Sequence, residues 1–145
     1  MKKIRVLMID DNVNLTKMVE EYFSDHKEIE IVMKAHDGRE GLNLILNKEG
    51  EYDLVLLDLI MPNKDGLYVL DELKKRNIAK NIIVVTSYNA PEMIRKVSEY
   101  GVNYYILKPF ELVDLENRIL DVFKVVKGGS INLYHNNLQI SITKM

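Results

Sequence analysis

The chain has 145 residues, which suits one domain with a short tail, and 47% of them are hydrophobic, enough for a sizeable core. Its 20 basic and 22 acidic residues leave a net charge of −2, which gives no electrostatic argument for nucleic-acid binding. The absence of cysteine excludes disulfides, thiolate zinc sites and thiol catalysis. No apolar run approaches a signal peptide core or the ~18 residues of a membrane span. We therefore expect a cytoplasmic protein without membrane attachment.

The first half of the chain alternates apolar runs with helical patterns. An apolar run at 4–9 predicts a strand, and apolar residues within 15–23 then recur at helical spacing. A second strand is predicted at 29–33, followed by a helix marked by residues 42–46. The run at 54–57 is nearly continuous Leu and Val, which is typical of a strand covered on both faces.

The second half of the chain continues this alternation. The predicted elements are a helix at 67–73, a strand at 82–85, a helix at 93–97, a strand at 103–107 and a helix at 112–123. Pro91 suits the first turn of the fourth helix, and Gly128 and Gly129 are predicted to close the fifth. Five strand–helix units predict an α/β fold with a doubly wound, five-stranded parallel sheet and right-handed crossovers, (βα)5.

Polar side chains follow four of the predicted strands at the point where each strand ends. They are Asp10 and Asp11 after the first strand, Asp58 after the third, Thr86 and Ser87 after the fourth, and Lys108 before Pro109 after the fifth. In a parallel sheet the carboxyl ends of the strands meet at one edge. We therefore expect three carboxylates, hydroxyls and an ammonium to converge there. Buried charges need a compensating partner, because leaving them unpaired costs several kcal/mol.

Some of these residues also have a purely structural interpretation. Asp10 and Asp11 could cap the first helix. The neighbouring Asn12 and Asn14 could do so equally well. Asp58 could be an ordinary loop acid, and a lysine before a proline is often solvated. The functional interpretation depends on the four strand ends taken together.

The chemistry open to this set is phosphoryl transfer to an aspartate. Close carboxylates repel each other, so they favour a shared proton or a hard divalent cation. Oxygen ligands without His or Cys suit magnesium, with manganese as an alternative. Lys108 and the Thr86 hydroxyl could bind the oxygens of a phosphoryl group, while Asp58 attacks phosphorus in line to form an aspartyl phosphate.

The chain resembles the receiver domain of two-component response regulators over about residues 3–126. The residues that carry the resemblance are Asp10-Asp11, Asp58 with Met61-Pro62 and Asp65-Gly66, Thr86, Tyr105 and Lys108-Pro109-Phe110. The resemblance implies a flavodoxin-like receiver fold. It also implies a signalling protein that is not an enzyme, that receives its phosphoryl group from a histidine kinase or phosphotransfer protein, and that controls an attached or partner effector.

The resemblance assigns a role to each matched position. Asp58 would be the phosphoacceptor, Asp11 a direct magnesium ligand, Asp10 a ligand through water, and the Ile60 main-chain carbonyl a further ligand. Thr86 would be the switch hydroxyl and Tyr105 the switch aromatic, with Ser87 beside them where the family has a small residue. The Lys108–Pro109 bond would be cis, although only about 5–6% of X–Pro bonds are.

The resemblance further implies a phosphorylation-dependent homodimer that uses the surface of the fourth helix, fifth strand and fifth helix. The charged residues predicted to lie on that surface are Glu92, Arg95, Lys96, Glu99, Glu116 and Arg118.

Two segments resemble sporulation-type transcription regulators in particular. They are the sequence Asp-Leu-Ile-Met-Pro at 58–62 and Tyr-Tyr-Ile-Leu-Lys-Pro-Phe at 104–110. The tail at 138–145 is similar to the beginning of the DNA-binding domain of such regulators, and its apolar spacing fits both a strand and a helix face. We therefore expect a receiver at 1–127, then a hinge and the first residues of a truncated effector at 128–145, too short to bind DNA.

Three other functions are compatible with this architecture. A magnesium-dependent phosphatase would also form an aspartyl phosphate, but it needs a second acid where this chain has Ile60. A nucleotide- or flavin-binding domain needs a glycine-rich loop after the first strand, and the residues after Ile9 are Asp-Asp-Asn-Val-Asn. A stand-alone interaction module would not require the acids, the hydroxyl and the lysine together.

Overall fold

Five strand–helix units follow one another along the chain, and a sixth short strand comes after them. The computed structural model describes residues 2–124 and 139–142. The strands are β1 (Ile4–Ile9), β2 (Ile29–Ala35), β3 (Leu54–Leu57), β4 (Ile82–Thr86), β5 (Tyr104–Leu107) and β6 (Gln139–Ile142). The helices are α1 (Val13–Tyr22), α2 (Gly38–Asn47), α3 (Gly66–Lys75), α4 (Pro91–Ser98) and α5 (Leu112–Phe123).

All six strands lie in one parallel sheet, in the order β2-β1-β3-β4-β5-β6. The order changes direction at β1 and β3, as in a doubly wound fold. The predicted α/β fold with five parallel strands is therefore confirmed. The sixth strand is an addition at the β5 edge, in the part of the tail whose apolar spacing fitted both a strand and a helix.

Each face of the sheet carries its own hydrophobic core. Side chains alternate along a strand, so Leu7 and Ile9 of β1 face the cluster that contains α2, α3 and Val97 of α4. Val6 and Met8 face the opposite cluster, which α1 and α5 complete. Full burial of one such aliphatic side chain contributes about 1.5–3 kcal/mol. The two clusters explain why the strands read as nearly continuous apolar runs.

Short polar side chains begin three of the helices. Asn12 caps α1, Asp37 caps α2 and Asp65 caps α3, each through a side-chain oxygen that accepts a main-chain N–H in the first turn. Pro91 is the first residue of α4, as predicted. Helix α5 ends at Phe123, and the predicted closing residues Gly128 and Gly129 lie outside the described residues. Val122 and Phe123, in the last turn of α5, pack against the core.

The predicted boundary at 127 and hinge at 128–137 lie outside the described residues. Within residues 2–124 and 139–142, no helix has the length and apolar character needed to cross a membrane.

Candidate functional site

The candidate site lies at the carboxyl edge of the sheet, where four strands end side by side. Ile9 pairs with Leu57 across β1 and β3, so the next residues, Asp10 and Asp58, are neighbours. On the other side, Thr86 pairs with Leu107 across β4 and β5, which brings Lys108 to the same edge. The edge is therefore assembled by strand register rather than by any local sequence motif.

Three carboxylates meet at this edge. Oxygen atoms of Asp10, Asp11 and Asp58 all lie within 4.8 Å of one another. Asp10 is 1% exposed and Asp58 is 5% exposed, whereas Asp11 is open to solvent. Charges this close and this buried repel each other strongly in a low-dielectric environment, so they need a cation nearby.

The ammonium of Lys108 lies between two of the acids. Its Nζ donates to Oδ2 of Asp10 at 2.7 Å and to Oδ2 of Asp58 at 3.0 Å. The other oxygen of each acid accepts a main-chain N–H two residues ahead, from Asn12 at 2.9 Å and from Ile60 at 3.1 Å. Both carboxylates are thus fixed at two points, and Asp11 remains available to an incoming ligand.

Burial and hydrogen bonding act in opposite directions on these groups. Burial raises the pKa of Asp10, and the hydrogen bond from Lys108 offsets part of that rise. Burial alone would lower the pKa of Lys108, but the hydrogen bonds and charges of Asp10 and Asp58 outweigh it and raise that pKa. The lysine therefore stays charged at neutral pH.

The acids at the end of β1 do not cap α1. The cap is Asn12, whose Oδ1 accepts the N–H of Leu15 at 3.0 Å. Asp10 instead turns back to the sheet edge, where its main-chain N–H donates to Ala35 at 2.9 Å. The capping interpretation of the acid pair is thereby excluded.

Thr86 is the last residue of β4, and Tyr105 lies within β5 opposite Val84. Thr86 is fully buried, and its Oγ1 accepts the N–H of Tyr88 at 3.4 Å. Among the described residues, no hydrogen bond joins Thr86 to the three acids. Ser87, the next residue, is exposed.

The Tyr105 ring is buried, and its hydroxyl donates to the main-chain oxygen of Tyr88 at 2.5 Å. Burial raises the pKa of Tyr105 to about 12, with smaller contributions from Tyr88 and Asp58. Tyr88 is thus bonded to both residues: its N–H donates to Thr86, and its carbonyl accepts from Tyr105.

A cis peptide bond and a tightly packed glycine lie beside the acids. The Lys108–Pro109 peptide bond is cis. A side chain at Gly66 would bring its Cβ to 2.3 Å from the carbonyl oxygen of Asp58, so only glycine fits where α3 begins. Ile60, which is 51% exposed, lies in the loop between Asp58 and Gly66.

Several residues that support the site were not identified from the sequence. Nδ1 of His36 lies 3.0 Å from the main-chain oxygen of Asp10. The loop after Asp58 is tied to the start of α2 twice, by Gly38 N–H to the Lys64 carbonyl at 2.6 Å and by the Asn63 amide to Asp37 at 3.1 Å. Of these features, the sequence could have suggested only the positive φ of 64° at Asn63, because Asn and Gly are the residues that favour this conformation.

One residue of the predicted dimerisation surface lies elsewhere. Glu116 faces α1, where its carboxylate accepts from the Tyr22 hydroxyl at 2.6 Å and lies 3.1 Å from Nε2 of His26. The assignment of Glu116 to the surface of α4, β5 and α5 was therefore wrong. The sequence indicates that Glu116 is a charged residue on α5, but it does not indicate that this side of α5 faces α1.

The family of response regulator receiver domains matches residues 6–120 of this chain. The chain belongs to that family. Receiver domains are signalling modules of two-component systems, and the edge described above is the acidic pocket of this receiver.

Solved structures of other receivers have the same fold. The receiver of Francisella response regulator 1452 is 29% identical with a TM-score of 0.72, over 81% of this chain and 94% of that chain. A LuxR-family DNA-binding response regulator from Staphylococcus aureus is 27% identical with a TM-score of 0.73, over 82% and 98%. A chain of the CheX-CheY complex with BeF3 and magnesium from Borrelia burgdorferi, 24% identical with a TM-score of 0.76 over 84% and 90%, is similar in fold.

Proposed function

We propose that this receiver accepts a phosphoryl group on Asp58 and uses it to change the surface formed by α4, β5 and α5. The observation that carries the proposal is the placement of Lys108, which contacts Asp58 and Asp10 while leaving exposed Asp11 beside them. A purely structural ion pair would not need a third carboxylate within 4.8 Å. A phosphoryl site needs both the surplus of negative charge and the fixed ammonium.

The reaction forms one bond and breaks one. A carboxylate oxygen of Asp58 attacks the phosphorus of the donor, and the bond from phosphorus to the donor's imidazole nitrogen breaks as the new P–O bond forms. The electron pair of the broken bond stays on that nitrogen. Lys108, fixed 3.0 Å from Asp58 Oδ2, neutralises negative charge on the transferred group without having to move into place.

The three acids suit a divalent cation of the magnesium type. All three offer carboxylate oxygen, and none of the ligand atoms is nitrogen or sulfur, which is the donor set that magnesium or manganese prefers. Asp10, Asp11, Asp58 and the Ile60 carbonyl would hold it. Such a cation neutralises charge on the phosphoryl oxygens when bound.

The signal would leave the site through Thr86 and Tyr105. Thr86 ends β4 next to Lys108, and both Thr86 and Tyr105 contact Tyr88. If the Thr86 hydroxyl turns toward a phosphoryl oxygen, its bond to Tyr88 is lost, and the loop that precedes α4 is free to move. The two arrangements must differ in affinity for a partner, since that difference is the output.

We further propose that the receiver is a signalling module and not an enzyme, with a histidine kinase or phosphotransfer protein as donor, and that it acts in the cytoplasm. The sequences at 58–62 and 104–110 resemble the receiver of stage-zero sporulation protein A, which supports a sporulation-type transcription regulator as the effector class. Phosphorylation-dependent homodimerisation through α4, β5 and α5 is the output that we propose, by analogy with the family. With a net charge of −2, these 145 residues are not proposed to bind DNA directly.

The proposal is tested by intact-protein mass after incubation with acetyl phosphate and magnesium. Wild type should gain one phosphoryl group and lose it slowly, and omission of magnesium should abolish the gain. Asp58→Asn should gain none. Asp65→Asn is the matched control, because Asp65 lies in the same loop but caps α3, and asparagine also caps helices.

A phosphoryl adduct on Asp58→Asn would contradict the assignment of the phosphoacceptor. Loss of the adduct in Asp65→Asn, with Asp58 intact, would contradict the separation of site and cap that the geometry supports.

A further inference from the structure

The outer edge of β5 is covered by the tail of the chain. The four residues of β5 pair in parallel, one for one, with the four residues of β6. Without β6, β5 would be the last strand of the sheet and would present unpaired N–H and C=O groups to solvent. The described tail residues therefore occupy a strand-binding edge.

The hydrogen-bonding groups that face this edge can be identified. Lys108, just after β5, donates its N–H to the main-chain oxygen of Thr86 on the β4 side at 2.9 Å. Main-chain groups alternate between the two sides of a strand, so the N–H groups of Tyr105 and Leu107 face outward. Ser141 lies opposite Ile106. Ser141 is thus the tail residue whose own N–H and C=O both point at β5, whereas those of Ile140 point away.

From this pairing we propose that the outer edge of β5 is a binding site for one extended peptide strand, and that residues 139–142 of this chain fill it in cis. The edge takes one strand at a time. A strand from another molecule, including the same segment of a second copy, binds only when the tail leaves.

Strand β6 lies between helices α4 and α5, beside β5. Helices α4 and α5 pack on opposite faces of the sheet, in the two separate cores, and β5 lies between them at the edge. The guanidinium of Arg118 in α5 stacks over the Tyr104 ring with 5.5 Å between them. A strand at this edge therefore lies in the middle of the surface formed by α4, β5 and α5, and a partner that needs that surface competes with the tail.

The test is amide hydrogen exchange on the full chain, read at Tyr105 and Leu107. Ser141→Pro removes the N–H that faces β5, and we expect exchange at Tyr105 and Leu107 to accelerate by roughly tenfold or more as the strand detaches. Ile140→Pro is the matched control, because its missing N–H faces away from β5 and proline is tolerated at such edge positions. It should exchange within about threefold of wild type.

A synthetic peptide with the sequence of residues 136–145 supplies the second reading. Added in excess, it should restore protection at Tyr105 and Leu107 in Ser141→Pro and leave wild type unchanged, since the edge of wild type is already filled. Equal exchange in wild type and Ser141→Pro would overturn the proposal, and so would equal acceleration by both prolines. Neither reading involves magnesium or Asp58, so failure here is distinct from failure of the proposed phosphoryl transfer.

Discussion

The ammonium of Lys108 lies 3.0 Å from Oδ2 of Asp58, although 50 positions separate the two residues in the chain. The same nitrogen lies 2.7 Å from Oδ2 of Asp10. One cation therefore compensates two buried carboxylates, and the charge balance of the whole edge depends on it.

Replacing Lys108 by alanine should expose this dependence. In Lys108→Ala, Asp10 and Asp58 repel each other without compensation, so we expect the free energy of unfolding to fall by about 2–3 kcal/mol at neutral pH. Saturating magnesium should restore a large part of that loss, because cation binding stabilises the folded state. Urea denaturation with and without magnesium measures both quantities.

The control for Lys108→Ala is Lys80→Ala. Lys80 also forms an ion pair from a mostly covered position, but its partner Glu49 is exposed and far from the three acids. Its loss should be smaller, at about 1 kcal/mol or less, and insensitive to magnesium. A Lys108→Ala protein as unstable with magnesium as without it would rule out a cation site at the acids.

The buried hydroxyl of Tyr105 should give an alkaline pH dependence. The folded-state pKa of Tyr105 is raised to about 12 from 10.0, so the neutral phenol contributes stability that is fully present below pH 10 and is lost as the pH rises toward 12. Tyr105→Phe should lose about 1 kcal/mol at neutral pH, for the bond to Tyr88. This deficit should shrink above pH 10, measured by urea denaturation in a pH series. A deficit that grows with pH would contradict the assignment.

The ion pair of Arg5 and Asp53 should make the stability of the protein depend on pH in the acidic range. The hydrogen bond from Arg5 lowers the pKa of Asp53 below 3.8, so its contribution is present above about pH 4 and is lost as the pH falls through the lowered value. Asp53→Asn should cost about 1 kcal/mol at neutral pH and lose less than wild type on acidification. Asp25→Asn, at an exposed position, is the charge-matched control and should follow wild type in thermal unfolding between pH 2 and 6.

Two glycines provide a paired test of close packing. In Gly66→Ala the new Cβ would meet the main chain of Asp58 at 2.3 Å, whereas in Gly41→Ala it would meet the Ile9 side chain at 2.7 Å. The main chain cannot give way, so Gly66→Ala should lose about 2–4 kcal/mol and slow the gain of phosphoryl mass. A side chain can shift, so Gly41→Ala should lose less and keep the phosphorylation rate. Equal rates in the two variants would contradict the importance of the contact at Asp58.

The residues that end the strands could be predicted because two independent patterns agree on them. The apolar runs that form β1 and β3 stop at Asp10 and Asp58, and parallel pairing then brings the two acids to one edge. Neither inference needs the detailed packing. The observed strands begin and end within two residues of the predicted ones for the same reason, since burial on both faces dictates their composition.

The supporting contacts could not be predicted because they join residues that are distant in sequence and ordinary in type. Asn63 and Asp37 are both common loop residues, and only the fold shows that one donates to the other. Glu116 was misplaced for a related reason, because helical spacing gives the face of α5 but not its neighbour. The pairing of β6 was open since its apolar residues fit both a strand and a helix.

The link between Asp10 and Lys108 spans 98 positions, and this separation has a consequence during synthesis. A nascent chain that has not yet reached position 108 has the three acids but lacks the ammonium of Lys108. Under the proposed function, such a chain would have no counter-charge for the transferred phosphoryl group. The receiver would then become responsive to its donor only when its translation is almost complete.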